Sequence, residues 1–120
     1  MKMPMKTLAP LLLALCALVC SCSSREEQIA DLGKTTAHNW LEWKYNTSAP
    51  ITYSDEVVRV TENSLTGDYW VSYTANVQCI AHPLKNTTEF VDDSVRLEFE
   101  YISSEDRCLL KYQSLTPRAK

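Results

Sequence analysis

The feature that most constrains the fold is a regular alternation of apolar and polar residues from Asp68 to Ile80. One face of this segment would carry Tyr69, Val71, Tyr73, Ala75, Val77 and Cys79, and the other Ser72, Thr74, Asn76 and Gln78. A period of two predicts an antiparallel strand with one face buried and the other in water. The apolar face then needs a second layer of structure to cover it.

Three further runs are typical of strands. The first extends from Ile51 to Thr61 and is followed by a turn from Asn63 to Gly67. The third strand would bury Val91, Val95, Leu97, Phe99 and Tyr101, and the last Cys108, Leu110 and Tyr112. Matching of the apolar faces predicts three cross-strand pairs, namely Val71 with Phe99, Tyr69 with Tyr101, and Tyr101 with Cys108.

A single long helix is predicted before the strands. Ser24 and Glu27 have the spacing of a capping box at its start. Residues at helical spacing would form one covering face, made of Ile29, Leu32, Thr36, Trp40 and Trp43. The helix should end near Tyr45, because the residues from Asn46 to Pro50 favour a turn.

This order of elements predicts an α+β fold, with one N-terminal helix packed on a curved antiparallel sheet of about four strands. The order resembles the cystatin-like arrangement, in which such a sheet wraps around one N-terminal helix. A small β-barrel with an N-terminal helix is the alternative.

The first 21 residues have the parts of an export signal. Lys2 and Lys6 precede an apolar stretch of about a dozen residues, which is too short to cross a bilayer as a helix. The four residues from Val19 to Cys22 resemble the lipobox of bacterial lipoproteins, with a branched apolar residue three positions before the cysteine and a small residue just before it. The resemblance implies cleavage before Cys22 and acylation of that residue.

The leader therefore divides the chain into a signal peptide, residues 1–21, and one small domain, residues 22–120. We expect the acyl chains, such as palmitate, to anchor the domain in the outer membrane, facing the periplasm or the cell surface. The alternative is an ordinary secretory signal and a secreted protein. Because the chain has a net charge of −3 and the leader removes two lysines, the remaining domain carries −5. It has no basic stripe for nucleic acid.

Two cysteines, Cys79 and Cys108, remain after the leader and the lipidated residue are set aside. An even pair in an oxidising compartment is a candidate disulfide. The predicted register opposes the bridge, because it places the two cysteines about ten residues, or roughly 33 Å, apart along the sheet. A bend at Asp92 and Asp93 would reorder the sheet and remove this conflict. Otherwise the thiols stay free, or one of them pairs between chains.

No arrangement of residues points to catalysis or to a cofactor. Cys79 and His82 have a ligand-like spacing, but zinc needs about four ligands, and only Cys108, His38 and carboxylates remain. The paired acids at 92–93 are expected at a turn or bulge. The acids at positions 98 and 100 are expected on a solvated strand face, with Lys111 across from them. We expect no enzyme activity, no metal and no cofactor.

Trp70 is the main candidate for a contact with a partner. The alternation places it on the polar face of its strand, beside Ser72 and close to Asp68. An exposed tryptophan is typical of a protein interface. We therefore expect a non-catalytic envelope lipoprotein that binds an unidentified protein, as an accessory of secretion or conjugation or as an exclusion or immunity protein. The alternative is an inhibitor of a cationic enzyme that attacks the envelope, such as lysozyme.

Overall fold

The structure is a computed structural model that describes residues 25–47 and 49–118. Helix α1 spans residues 25–45, and four strands follow: β1 (Thr52–Glu62), β2 (Tyr69–Ala81), β3 (Glu89–Ile102) and β4 (Arg107–Pro117). The predicted α+β class is confirmed, since one helix packs on an open antiparallel sheet rather than on a closed barrel. The leader, Cys22 and the cap at Ser24 lie outside the described residues.

The sheet is a simple meander in the order β1-β2-β3-β4. The predicted register is confirmed, because Val71 pairs with Phe99, Tyr69 with Tyr101, and Tyr101 with Cys108. The apolar face of β2 is buried as the alternation predicts. The core therefore lies between α1 and one face of the two central strands.

The buried stripe of α1 differs from the predicted one. Its buried residues recur at every fourth position and are Ile29, Gly33, Ala37, Leu41 and Tyr45. Trp40 packs at the side of the core, but Trp43 is 73% exposed, so its expected place in the covering face was wrong. The physical reason is close packing: a Cβ added at Gly33 would lie 2.6 Å from Cγ1 of Val71. Small residues at the centre of the stripe, Gly33 and Ala37, therefore let α1 approach the sheet closely, and Trp40 lies at the side of this contact.

A bulge in β1 turns an acidic side chain toward the helix. Asp55 and Glu56 both stand opposite Ala75, because the register shifts between Ser54 and Val57. Asp55 adopts a positive φ of 53°, which aspartate tolerates better than most residues. Asn76 Nδ2 donates a hydrogen bond to the Asp55 carboxylate at 3.0 Å. The bulge thus leaves Glu56 on the side of the sheet that carries α1.

A second irregularity corrects the prediction for β4. Leu110 pairs with Phe99, but Tyr112 pairs with Glu98, so Lys111 is an extra residue in the ladder. The extra residue moves Tyr112 to the face opposite Cys108 and returns Leu115 to the core side. The expectation that Tyr112 shares the face of Cys108 and Leu110 was therefore wrong.

The candidate disulfide between Cys79 and Cys108 is not formed, and both cysteines are free and buried. Cys79 pairs with Val91 near one end of the sheet, whereas Cys108 pairs with Tyr101 near the other end. The turn or bulge expected at Asp92 and Asp93 is absent, and no bend reorders the sheet there, because β2 and β3 keep one continuous register across them. Burial raises the pKa of both thiols, and a nearby aspartate adds to the effect in each case.

Candidate interaction surface

The two faces of the sheet have different surroundings. Helix α1 covers one face, which we call the core face. Within the described part of the chain, no helix or strand lies over the other, which we call the open face. Most of its central residues have hydroxyl, amide or charged side chains. Two aromatic residues, Trp70 and Tyr112, lie on the same face. This face is therefore available for contact with another molecule.

Trp70 lies on the open face, as the alternation predicts, and it is 39% exposed. Its indole Nε1 donates a hydrogen bond to Oε1 of Glu98 at 3.3 Å. Within the sheet, Trp70 pairs with Thr61 on β1 and Glu100 on β3. The hydrogen bond orients the ring, and an oriented aromatic ring loses little conformational entropy on binding.

The other two candidate contact residues lie next to Trp70 along the chain. Ser72 is the next residue of β2 on the open face and pairs with Arg59 and Glu98. Asp68 lies in the turn before β2, where its backbone carbonyl accepts a hydrogen bond from Asn63. Asp68 and Trp70 line a shallow groove of about 280 Å³, together with Asn63, Thr66, Tyr69 and Glu100. The fold thus places all three candidates at one corner of the sheet.

The carboxylates of the open face are largely neutralised by cations. Arg96 lies 3.6 Å from Glu98, and Lys111 lies 3.4 Å from Glu100, as expected for the cross-strand position. Asp92 pairs with Arg118 at 3.3 Å. Arg59, by contrast, has no ion-pair partner among the described residues. The acidic excess of the domain is therefore not concentrated on this face.

The charged cluster under α1 was not among the sequence candidates. His38 Nε2 lies 2.6 Å from Oε2 of Glu56, and the hydroxyl of Tyr73 donates to the same oxygen at 2.7 Å. The His38 ring stacks on Tyr53 with centroids 3.9 Å apart, and Lys34 Nζ lies 3.9 Å from Oε1 of Glu56. A signal was present in the sequence, because Glu56 alternates in step with Val58 and Val60 and so shares the face of α1.

Burial and hydrogen bonding act in opposite directions on Glu56. Burial disfavours the charged carboxylate, but hydrogen bonds from Tyr73 and His38, with the charges of His38 and Lys34, outweigh it and lower its pKa. Burial raises the pKa of Tyr53 to about 12, and its hydroxyl is buried without a hydrogen-bond partner. Burial and the hydrogen bond to Glu56 likewise raise the pKa of Tyr73. We interpret the cluster as a polar contact that holds α1 against β1.

A cleft of about 550 Å³ lies where α1 ends above β3 and β4, lined in part by Tyr45, Val91, Asp93 and Leu115. The Tyr45 hydroxyl donates a hydrogen bond to Oδ2 of Asp93 at 2.5 Å. Burial raises the pKa of Tyr45, and this hydrogen bond adds to the shift. Asp93 therefore fixes the last turn of α1 to the sheet.

Cys79 and His82, whose spacing in the sequence is ligand-like, lie near the end of β2 and in the turn after it. His82 Nδ1 donates a hydrogen bond to the carbonyl of Thr87 at 2.9 Å, which closes the turn after β2. Across residues 25–47 and 49–118, no group of three or more His, Cys, Asp or Glu side chains is placed to hold a metal ion. In the same ranges, no helix is both long and apolar enough to span a membrane.

Comparison of the chain with protein-family models, with curated proteins and with solved structures gives no match to any of them.

Proposed function

We propose that this chain is a membrane-anchored lipoprotein of the bacterial envelope, held by acyl chains on Cys22, that binds a partner protein without catalysing a reaction. The contact surface is the open face around Trp70, with Asp68 and Ser72 beside it. A role in secretion or conjugation, or in exclusion or immunity, would use such a surface.

The observation that carries the proposal is the exposure of an oriented tryptophan on a sheet face that no described element covers. Tryptophan is enriched among residues that dominate binding energy, especially where polar groups surround it. The ring lies beside the groove at Asp68 and beside hydrogen-bonding side chains of β2 and β3. A small aromatic centre with a polar border is the usual composition of a protein interface.

The charges on the open face decide which kind of partner fits. Glu98 and Glu100 already have cationic neighbours, so they would attract a basic protein only weakly. The net charge of the domain suggested the alternative, inhibition of a cationic enzyme such as lysozyme. The charges of this face give that alternative little support. A partner that is apolar opposite Trp70 and polar around it fits better.

The test is a comparison of two exposed tryptophans. Trp70→Ala should leave the circular dichroism spectrum and thermal midpoint nearly unchanged but remove the co-purifying envelope partner identified with the wild-type chain. Trp43→Ala is the matched control, because Trp43 is exposed on α1, on the other side of the molecule. Equal partner recovery with both variants would contradict the proposal.

The anchor is tested separately. Mass spectrometry of the N-terminus of the chain purified from membranes should show a peptide that begins at Cys22 and carries acyl chains. The Cys22→Ser variant should move to the soluble fraction or keep its leader. An unmodified Cys22 at a free N-terminus would contradict membrane anchoring.

A further inference from the structure

The open face contains a shallow depression of about 270 Å³ that adjoins the surface around Trp70 and shares Ser72 with it. It is lined by Val57, Arg59, Ser72, Thr74 and Arg96. Ser72 and Thr74 form its floor, because both lie on β2 between the two strands that carry the arginines. Among the described residues, neither hydroxyl has a hydrogen-bond partner, so each is available to donate.

The register places the two arginines on opposite sides of β2. Arg59 pairs with Ser72 on one side of β2, and Arg96 pairs with Thr74 on the other. Neighbouring strands are about 4.8 Å apart and the two pairs are offset by two residues along β2, so the two arginine backbones are separated by roughly 12 Å. Both arginines line the depression.

The two arginines are held differently. The Arg96 guanidinium lies over the Tyr112 ring, 5.9 Å from its centroid, and 3.6 Å from the carboxylate of Glu98. Arg59 lies on the edge strand and has no ion-pair partner among the described residues. One cation is thus oriented in advance by an aromatic ring, and the other lacks a countercharge.

We propose that this depression binds a carboxylate of the partner protein, with Arg59 and Arg96 on either side of it and the hydroxyls of Ser72 and Thr74 beneath it. This inference rests on the proposed function and adds the chemistry of the partner, namely an acidic residue next to the apolar group that contacts Trp70. Two guanidinium groups and two hydroxyl donors match the acceptor oxygens of a carboxylate.

The carboxylate is tested with a peptide probe on the full chain in a zwitterionic detergent. Acetylated tetraglutamate amide should shift the amide resonances of Ser72 and Thr74 in a saturable way, and the effect should weaken with salt. The matched tetraglutamine peptide should leave them unchanged. No saturable shift with tetraglutamate, or an equal shift with tetraglutamine, would overturn the proposal.

A second arm distinguishes a carboxylate from a phosphate. Inorganic phosphate that competes with tetraglutamate for the same resonances supports a shared oxyanion site. If phosphate shifts these resonances and tetraglutamate does not, the carboxylate assignment is overturned.

Charge-matched variants locate the site. Arg59→Gln and Arg96→Gln should each weaken tetraglutamate binding about two- to fivefold, as expected for partly exposed ion pairs. Arg107→Gln removes the same charge from a residue at the start of β4 that pairs with Glu105 at 3.3 Å, and should leave binding unchanged. Equal weakening by all three would show a general charge effect and overturn the site.

Comparison with the Trp70 experiment separates the two proposals. Loss of the partner with Trp70→Ala, without tetraglutamate binding to the wild-type chain, would keep the proposed function and reject the carboxylate site. Arginine-dependent tetraglutamate binding with full partner retention by Trp70→Ala would reject the role of Trp70 and keep the anion site.

Discussion

The core face and the open face belong to the same four strands, yet they are built from different chemistry. The core face of β2 and β3 contains Val71, Tyr73, Leu97 and Phe99, all fully buried under α1. The open face has hydroxyls, paired charges and an exposed Trp70. Apolar burial on one face stabilises the sheet, so the side chains of the other face are not needed to form the core.

The largest expected effect is a difference between two aromatic residues. Phe99→Ala removes a fully buried ring and should lower the free energy of unfolding by about 3–5 kcal/mol. Trp70→Ala should lower it by less than about 1 kcal/mol, because the ring stays partly in water. Urea unfolding of both variants measures the difference, and similar losses would mean that the open face is covered.

The next largest loss of stability is expected where α1 packs closely on β2. Gly33→Ala places a Cβ 2.6 Å from Cγ1 of Val71, and such overpacking costs about 1–3 kcal/mol. The gain in helix propensity of about 1 kcal/mol offsets part of this cost. The thermal midpoint should therefore fall. Val71→Ala in the same chain removes the methyl group that clashes, so the double variant should lose less stability than the sum of the two single losses. A stabilised single variant would contradict the close approach.

The polar cluster around Glu56 should make the free energy of unfolding depend on pH, by about 1 kcal/mol. The groups that face Glu56 are Lys34, His38 and Tyr73, and together they lower its folded pKa below the ordinary value of 4.5. A lowered folded pKa means that this stabilisation is present above about pH 4.5 and is lost as the pH falls through the folded value.

The Glu56→Gln variant should therefore show a weaker loss of stability between pH 6 and pH 3 than the wild-type chain. Glu62→Gln is the control, because Glu62 is exposed near the end of the same strand. Chemical denaturation across the pH range measures the effect. Parallel curves for wild type and Glu56→Gln would show that the carboxylate contributes nothing when ionised.

The smallest expected effect is that of a reductant on the thermal midpoint. Because Cys79 and Cys108 are free and lie at opposite ends of the sheet, dithiothreitol should leave the thermal midpoint unchanged. Alanine in place of both cysteines serves as the reference chain without thiols at these positions. A reductant-dependent fall of several degrees in the wild-type chain alone would reveal a bridge between them.

Much of the fold followed from periodicity, because burial on one face imposes a period of two on a strand. The register of β2 with β3 and of Tyr101 with Cys108 was predictable for this reason. The bulges at Glu56 and Lys111 were not, since an inserted residue shifts the phase without a distinct sequence signal. The exposure of Trp70 was predictable, but the depression between Arg59 and Arg96 joins three strands and needed their pairing.

The amino-acid order alone specified one helix followed by four strands, the apolar face of the sheet and the exposure of Trp70. These follow from local preferences and from the strand period, which short-range sequence contains. Only the folded chain decided which stripe of α1 is buried, how Glu56 meets His38, and that Arg59 and Arg96 flank one depression. These depend on close approach and bulge placement between distant segments, which are set by packing of the whole domain.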